Sequence, residues 1–212
     1  MSLKVEIWSD VICPWCGIGQ HRLDQALARF GGDVELVHRS FQLDPNHPDE
    51  TQPTREMLAQ KYRLSPAQAD AAFARVESIA KADGIEPYIV GDNLVGNTRR
   101  AHEWLAFAST KGLEEAAWKR IYRAYFGEQR SIFDVDTLVA LGVEIGLVAD
   151  ETRAALADGR FRARVDADQR EAAALGATGV PFIVIDRKVG VAGAQPVATI
   201  VEALQHAARG QS

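Results

Sequence analysis

Cysteine is nearly missing from this chain of 212 residues: there are two, and both fall in one motif, Cys13-Pro14-Trp15-Cys16. Two thiols three positions apart cannot join distant segments, so a structural disulfide framework is excluded. Redox chemistry, half of a metal site and coincidence remain as readings of the motif. An excess of basic residues is also missing. Lys plus Arg number 24 against 29 Asp plus Glu, a formal charge of −5, which speaks against nucleic acid or an acidic membrane as a partner. No stretch approaches the ~18 to 20 apolar residues of a transmembrane helix. The opening Met1-Ser2-Leu3-Lys4-Val5-Glu6 carries none of the marks of a secretory leader, so the cytoplasm is the expected compartment. Internal repeats and low-complexity tracts are absent too. What is present is the composition of a folded protein, 47% hydrophobic and 25% charged. A chain of this length buries about 70% of its unfolded surface, enough for a core without metal or disulfide.

The two ends read as β-rich and the middle as helical. Lys4 to Ser9 is a short apolar run and Val34 to Phe41 a second one. Between them Cys16, Gly19, Leu23, Ala26, Leu27 and Phe30 form one helix face that Gly31-Gly32 ends. From about Pro53 to Gly176 the segments are Ala-rich and helix-like. Helices are expected to open at Thr54 and at Ser65-Pro66, at Asn97-Thr98 running to Gly112, and at Glu114 running to Phe126. Asp134 to Gly146, Asp150 to Gly159 and Phe161 to Leu175 complete the block. Phe182 to Ile185 and Val189 to Ala192 then read as a hairpin, and Pro196 to Ala208 as a last helix. The order βαβ, helical block, αββα predicts an α/β fold with an inserted all-helical domain. Its parts are residues 1–43 and 161–212 for the βα portion and 44–160 for the insertion.

Cys13 falls between the first strand and the first helix, with Pro14 placed as the first helical residue, where its missing N–H costs nothing. Free N–H groups and the positive helix end favour a thiolate at Cys13, while the helix periodicity turns Cys16 inward. That asymmetry makes Cys13 the expected nucleophile and Cys16 the resolving thiol. Pro14 and Trp15 decide which N–H groups face the thiolate and so tune the pair, and Trp15 is expected to be exposed to substrate. Trp8, Trp104 and Trp118 read as core. Asp10 either modulates proton transfer or caps a turn. A zinc site around the two thiols needs two further ligands. No third cysteine exists and His21 stands alone, which leaves only a site shared between two copies; no metal is expected within one chain. His21, His38, His47 and His206 suggest no partners. In Gly179-Val180-Pro181 a trans proline starting a strand is the ordinary reading, and a cis bond would expose the Val180 backbone to an extended substrate.

Asp10-Val11-Ile12-Cys13-Pro14-Trp15-Cys16-Gly17-Ile18-Gly19, with Gly176 to Val184 and Gly193-Ala194-Gln195, resembles the thioredoxin superfamily, more closely the DsbA family and its FrnE-like dithiol oxidoreductases. The resemblance spans essentially the whole chain. It implies a thioredoxin-like fold, Cys13 and Cys16 as the redox pair, and Pro181 in cis. The implied activity is thiol-disulfide exchange or isomerisation on a protein or small-molecule disulfide, with the inserted helices restricting access to Cys13. No cofactor is implied, although glutathione is a candidate co-substrate, held by the Val180 backbone and the loop at Gln195. Asn97 and His102 resemble a segment recurrent in the family that would open a helix facing the cysteines; a helix cap and a packed histidine explain them as well. Kappa-class glutathione transferases and 2-hydroxychromene-2-carboxylate isomerases share the layout, usually with Ser at the nucleophile position and no resolving thiol. A glutathione-dependent transferase or isomerase is therefore the alternative, and a non-enzymatic redox sensor a third reading. The oligomeric state stays open.

Overall fold

The computed structural model describes residues 2–210. The chain divides into two units: Met1–Leu43 with Asp166–Ser212, and Asp44–Val165. Both parts of the first unit contribute strands to one sheet. β1 (Leu3–Ser9) leads into α1 (Pro14–Phe30) and β2 (Val34–Ser40), a crossover that sets β2 parallel to β1 from Leu3 opposite Val34 to Ser9 opposite Ser40. The helix stops where the pattern says it should. Gly31 takes the left-handed conformation at φ 65 and returns its N–H to the Leu27 carbonyl.

Three further elements of this unit are β5 (Phe182–Ile185), β6 (Val189–Ala192) and α9 (Val197–Arg209). The sheet order is β2-β1-β5-β6, with β5 antiparallel to β1 and β6 antiparallel to β5. One of the two interior strands, β1 is covered on both faces. Val5 and Ile7 pack with Leu23 and Ala26 of α1 and with Ile200 and Leu204 of α9. Trp8 points the other way, onto Ala172, Phe182 and Val184, and its indole N–H donates to the Asp168 carbonyl at 2.9 Å. Glu6 shares that face and is buried. Arg39 at 2.7 Å and Arg187 at 2.6 Å compensate its charge, which burial otherwise makes costly.

The second unit carries a two-stranded ladder, β3 (Gln52–Pro53) with β4 (Leu94–Val95), and the helices α2 (Thr54–Tyr62), α3 (Pro66–Ala82), α4 (Arg99–Thr110), α5 (Glu114–Tyr122), α6 (Val135–Glu144) and α7 (Ala149–Ala157). Its helix starts follow local chemistry. Ser65 and Gln68 form a reciprocal capping box, and Asp134 accepts from the Thr137 N–H at 2.7 Å. Trp104, Ile121, Phe126, Ile132, Leu138 and Leu141 are fully buried here.

The structure departs from the sequence pattern in four places. The regular part of α5 ends at Tyr122 and continues as a π turn over Arg123–Gly127; within it the Phe126 carbonyl accepts from Ile89 N–H at 2.7 Å, a partner 37 positions away that helical periodicity cannot reveal. The β3–β4 ladder is too short to leave a pattern. A second cis peptide, Glu86–Pro87, joins Val180–Pro181. The last division of the chain falls between Val165 and Asp166, inside α8 (Arg162–Ala174) instead of at 160/161, because the helix has no break there for composition to mark. Among the described residues no helix is long and apolar enough to cross a membrane.

Candidate active site

The site is built at the C-terminal end of β1. Past Ser9 the chain turns through Asp10, whose carbonyl accepts from the Cys13 N–H at 3.2 Å. Cys13 is the N-cap of α1 with extended φ −79 and ψ 113, and Pro14 occupies the first helical turn. That turn holds no acidic residue, so nothing within it offsets the positive end of the helix dipole. Cys16 N–H returns to the Cys13 carbonyl at 2.9 Å. Both thiols are free. Cys13 keeps 5% of its surface exposed and Cys16 none.

Burial is the main cause that pushes the Cys16 thiol well above its ordinary pKa; its hydrogen bond with Cys13 adds to this, the Asp10 backbone opposes it, and the Asp10 charge raises it further. Cys16 therefore holds its proton at neutral pH. The Cys13 thiol donates to the Val180 carbonyl at 3.6 Å. Val180–Pro181 is cis, as the family resemblance implies, and brings that carbonyl to the start of α1.

Gly19, one turn along α1, makes the close approach possible. A Cβ there would stand 2.7 Å from Pro181 Cγ and 3.3 Å from its Cβ. The Pro181 carbonyl accepts from Gly193 N–H at 2.8 Å, and the Ala194 carbonyl from Arg22 Nη1 at 2.6 Å. Periodicity places Gly19 on the helix face but does not show what occupies the space its side chain leaves. Arg22 carries no signal in the sequence at all.

The remaining expected site residues fall as follows. Trp15 is 37% exposed, next in sequence to Pro14. Asp10 is fully buried, and its carboxylate accepts from Leu43 N–H at 2.7 Å; its backbone closes the turn while its charge acts on Cys16. Gln195 donates to the Ala192 carbonyl at 2.8 Å, so this side chain ties its own turn. Asn97 and His102 belong to the helical unit. Asn97 donates to the His47 carbonyl at 2.7 Å and accepts from Arg99 N–H at 3.0 Å, a local turn just ahead of α4, whose N-cap is Thr98. His102 is buried with its ring 5.9 Å from that of Trp118. His21 and His38 also have partners, Gln25 at 2.8 Å and Gln20 at 3.0 Å. Among the described residues no group of three or more His, Cys, Asp or Glu is placed to hold a metal ion.

The family model described as a DSBA-like thioredoxin domain matches residues 4–205. A probable DsbA oxidoreductase from Streptomyces coelicolor is 45% identical, with a TM-score of 0.93 over 97% of this chain and 89% of that one. A 2-hydroxychromene-2-carboxylate isomerase is 16% identical with a TM-score of 0.76, covering 98% and 97% of the two chains. The cytosolic disulfide reductase DsbM from Pseudomonas aeruginosa, solved with GSH, is 21% identical with a TM-score of 0.66, covering 97% and 99%. The last two share the fold.

Proposed function

The chain belongs to the DsbA-like thioredoxin domain family, and from that premise we propose that it is a dithiol-disulfide oxidoreductase of the FrnE-like type in which Cys13 attacks and Cys16 resolves. The observation that carries the reading is the asymmetry of the two thiols: Cys13 caps α1 and keeps 5% of its surface exposed, while Cys16 is fully buried and held protonated. Only the thiolate attacks a disulfide.

In the reductive direction the Cys13 thiolate attacks one sulfur of the substrate disulfide. A mixed disulfide forms and the other substrate sulfur leaves as a thiolate, which takes up a proton. Cys16 then loses its proton and its sulfur attacks Cys13 Sγ. The mixed disulfide breaks, the second substrate thiol departs, and the enzyme is left with a Cys13–Cys16 disulfide. Two molecules of a thiol such as glutathione return it to the dithiol and leave as glutathione disulfide; run backwards, the same steps oxidise a substrate dithiol.

Val180 serves the substrate backbone. In the dithiol its carbonyl is taken by the Cys13 thiol; once Cys13 has lost that proton, the carbonyl is available to an extended substrate that pairs as an added strand. Pro181 supplies no N–H to compete for the sulfur, and the exposed Trp15 offers an apolar surface beside it. Glutathione is the small thiol proposed for turnover, as the fold shared with the GSH-bearing DsbM suggests. A glutathione transferase or isomerase has no need of the buried second thiol.

The test is trapping. Cys16→Ser incubated with a peptide disulfide should accumulate a mixed disulfide located at Cys13 by peptide mapping, whereas Cys13→Ser should accumulate none; adducts at Cys16, or none in either variant, would refute the assignment. Equilibration of the wild-type dithiol with a glutathione buffer then gives the direction, about −200 mV or above for an oxidant or isomerase and near about −270 mV for a reductase.

A further inference from the structure

We propose that Arg22 is a positioning residue that holds the turn at residues 193–195, and through it the Val180-Pro181 segment, in register with Cys13. The inference rests on the oxidoreductase reading of the same site. It is carried by a closed circuit of contacts. On α1, Gly19 and Arg22 stand three positions apart and share a helix face. Gly19 is the bed for the Pro181 ring, and its missing Cβ would also lie 3.6 Å from the Ala194 Cβ. From the next turn Arg22 Nη1 reaches the Ala194 carbonyl at 2.6 Å. Gly193 N–H closes back onto the Pro181 carbonyl at 2.8 Å, and the neighbouring Val180 carbonyl meets Cys13 Sγ at 3.6 Å, at the start of the helix that carries Arg22.

The turn needs such a tie. Gly193 is left-handed at φ 78, Gln195 N–H folds onto the Gly193 carbonyl at 2.9 Å, and the Gln195 side chain bonds Ala192. These bonds shape the turn without fixing it to the cysteine helix. Arg22 makes that connection with a charged donor, which forms a stronger hydrogen bond than a neutral one. Its place in the reaction is to set the backbone that an extended substrate reads, not to touch the sulfurs. Loss of Arg22 should therefore weaken binding of a peptide and leave the sulfur chemistry of a small disulfide alone.

The experiment uses the full chain as wild type, Arg22→Ala and Arg22→Lys, with two measurements. Amide hydrogen exchange followed by NMR should show the Gly193 N–H exchanging about tenfold faster in Arg22→Ala, largely restored in Arg22→Lys, and the β1 and β5 amides unchanged. Steady-state reduction of a peptide disulfide should show a KM raised about tenfold with kcat preserved, while bis(2-hydroxyethyl) disulfide is reduced as by wild type. Unchanged Gly193 exchange overturns the proposal, and so does an equal loss on both disulfides. If the wild type reduces neither disulfide, the oxidoreductase reading fails instead, and Gly193 exchange alone then decides whether Arg22 holds the turn.

Discussion

The Asp10 carboxylate is buried near a thiol that has to give up its proton for the second exchange step. Its charge raises the Cys16 thiol, and burial and the hydrogen bond with Cys13 act the same way. Removing that charge while keeping the acceptor for Leu43 N–H isolates its effect. In Asp10→Asn the pH midpoint for resolution of a Cys13 mixed disulfide, followed by stopped flow, should move to lower pH; a move to higher pH would make Asp10 a proton acceptor for Cys16. The nearness of Asp10 to the motif is plain in the sequence, as is the helix-capping place of Cys13, because both depend on neighbours a few residues away. The bonds from Asp10 to Leu43 and from Arg22 to Ala194 leave no trace there, since each joins positions 33 and 172 residues apart.

Helix α1 shows how a tertiary contact overrides a local preference. In a free helix Ala would be better than Gly at position 19 by roughly 1 kcal/mol. Here the added methyl meets the Pro181 ring at 2.7 Å, and a pyrrolidine cannot swing aside as a long side chain can. Overpacking of this kind costs about 1–3 kcal/mol, so Gly19→Ala should be destabilised by up to about 2 kcal/mol in urea unfolding and should exchange with a peptide disulfide more slowly. A more stable variant of normal activity would show that the Pro181 loop moves freely. The same distinction explains which elements can be read from sequence. β5 and β6 occupy the positions that their apolar runs and the intervening turn suggest, whereas the π turn after Tyr122 answers to Ile89 in a remote loop. The order β2-β1-β5-β6 is legible only through the family resemblance, because strand neighbours are chosen by faces that meet after folding.

At the scale of the molecule, the buried thiol links pH to stability. The folded-state pKa of Cys16 lies above that of a free thiol, so its contribution is full below about pH 8.5, where an unfolded cysteine begins to ionise, and is lost as pH rises through the raised value. The stability advantage of the reduced wild type over Cys16→Ala, measured by urea unfolding with reductant present, should therefore shrink between about pH 8 and pH 10. A constant difference would mean that Cys16 is not desolvated. The discontinuous first unit has a consequence in time. Strand β1 leads into the cysteine motif near the start of the chain, but its partner strand β5 begins only at Phe182. At ribosomal rates of about 5–20 residues per second, the nascent thiols wait roughly 10–40 s for the strand and helix that complete their core. During that interval Cys16 lacks the burial that raises its pKa, and the newborn chain meets cellular oxidants and thiols as an ordinary dithiol.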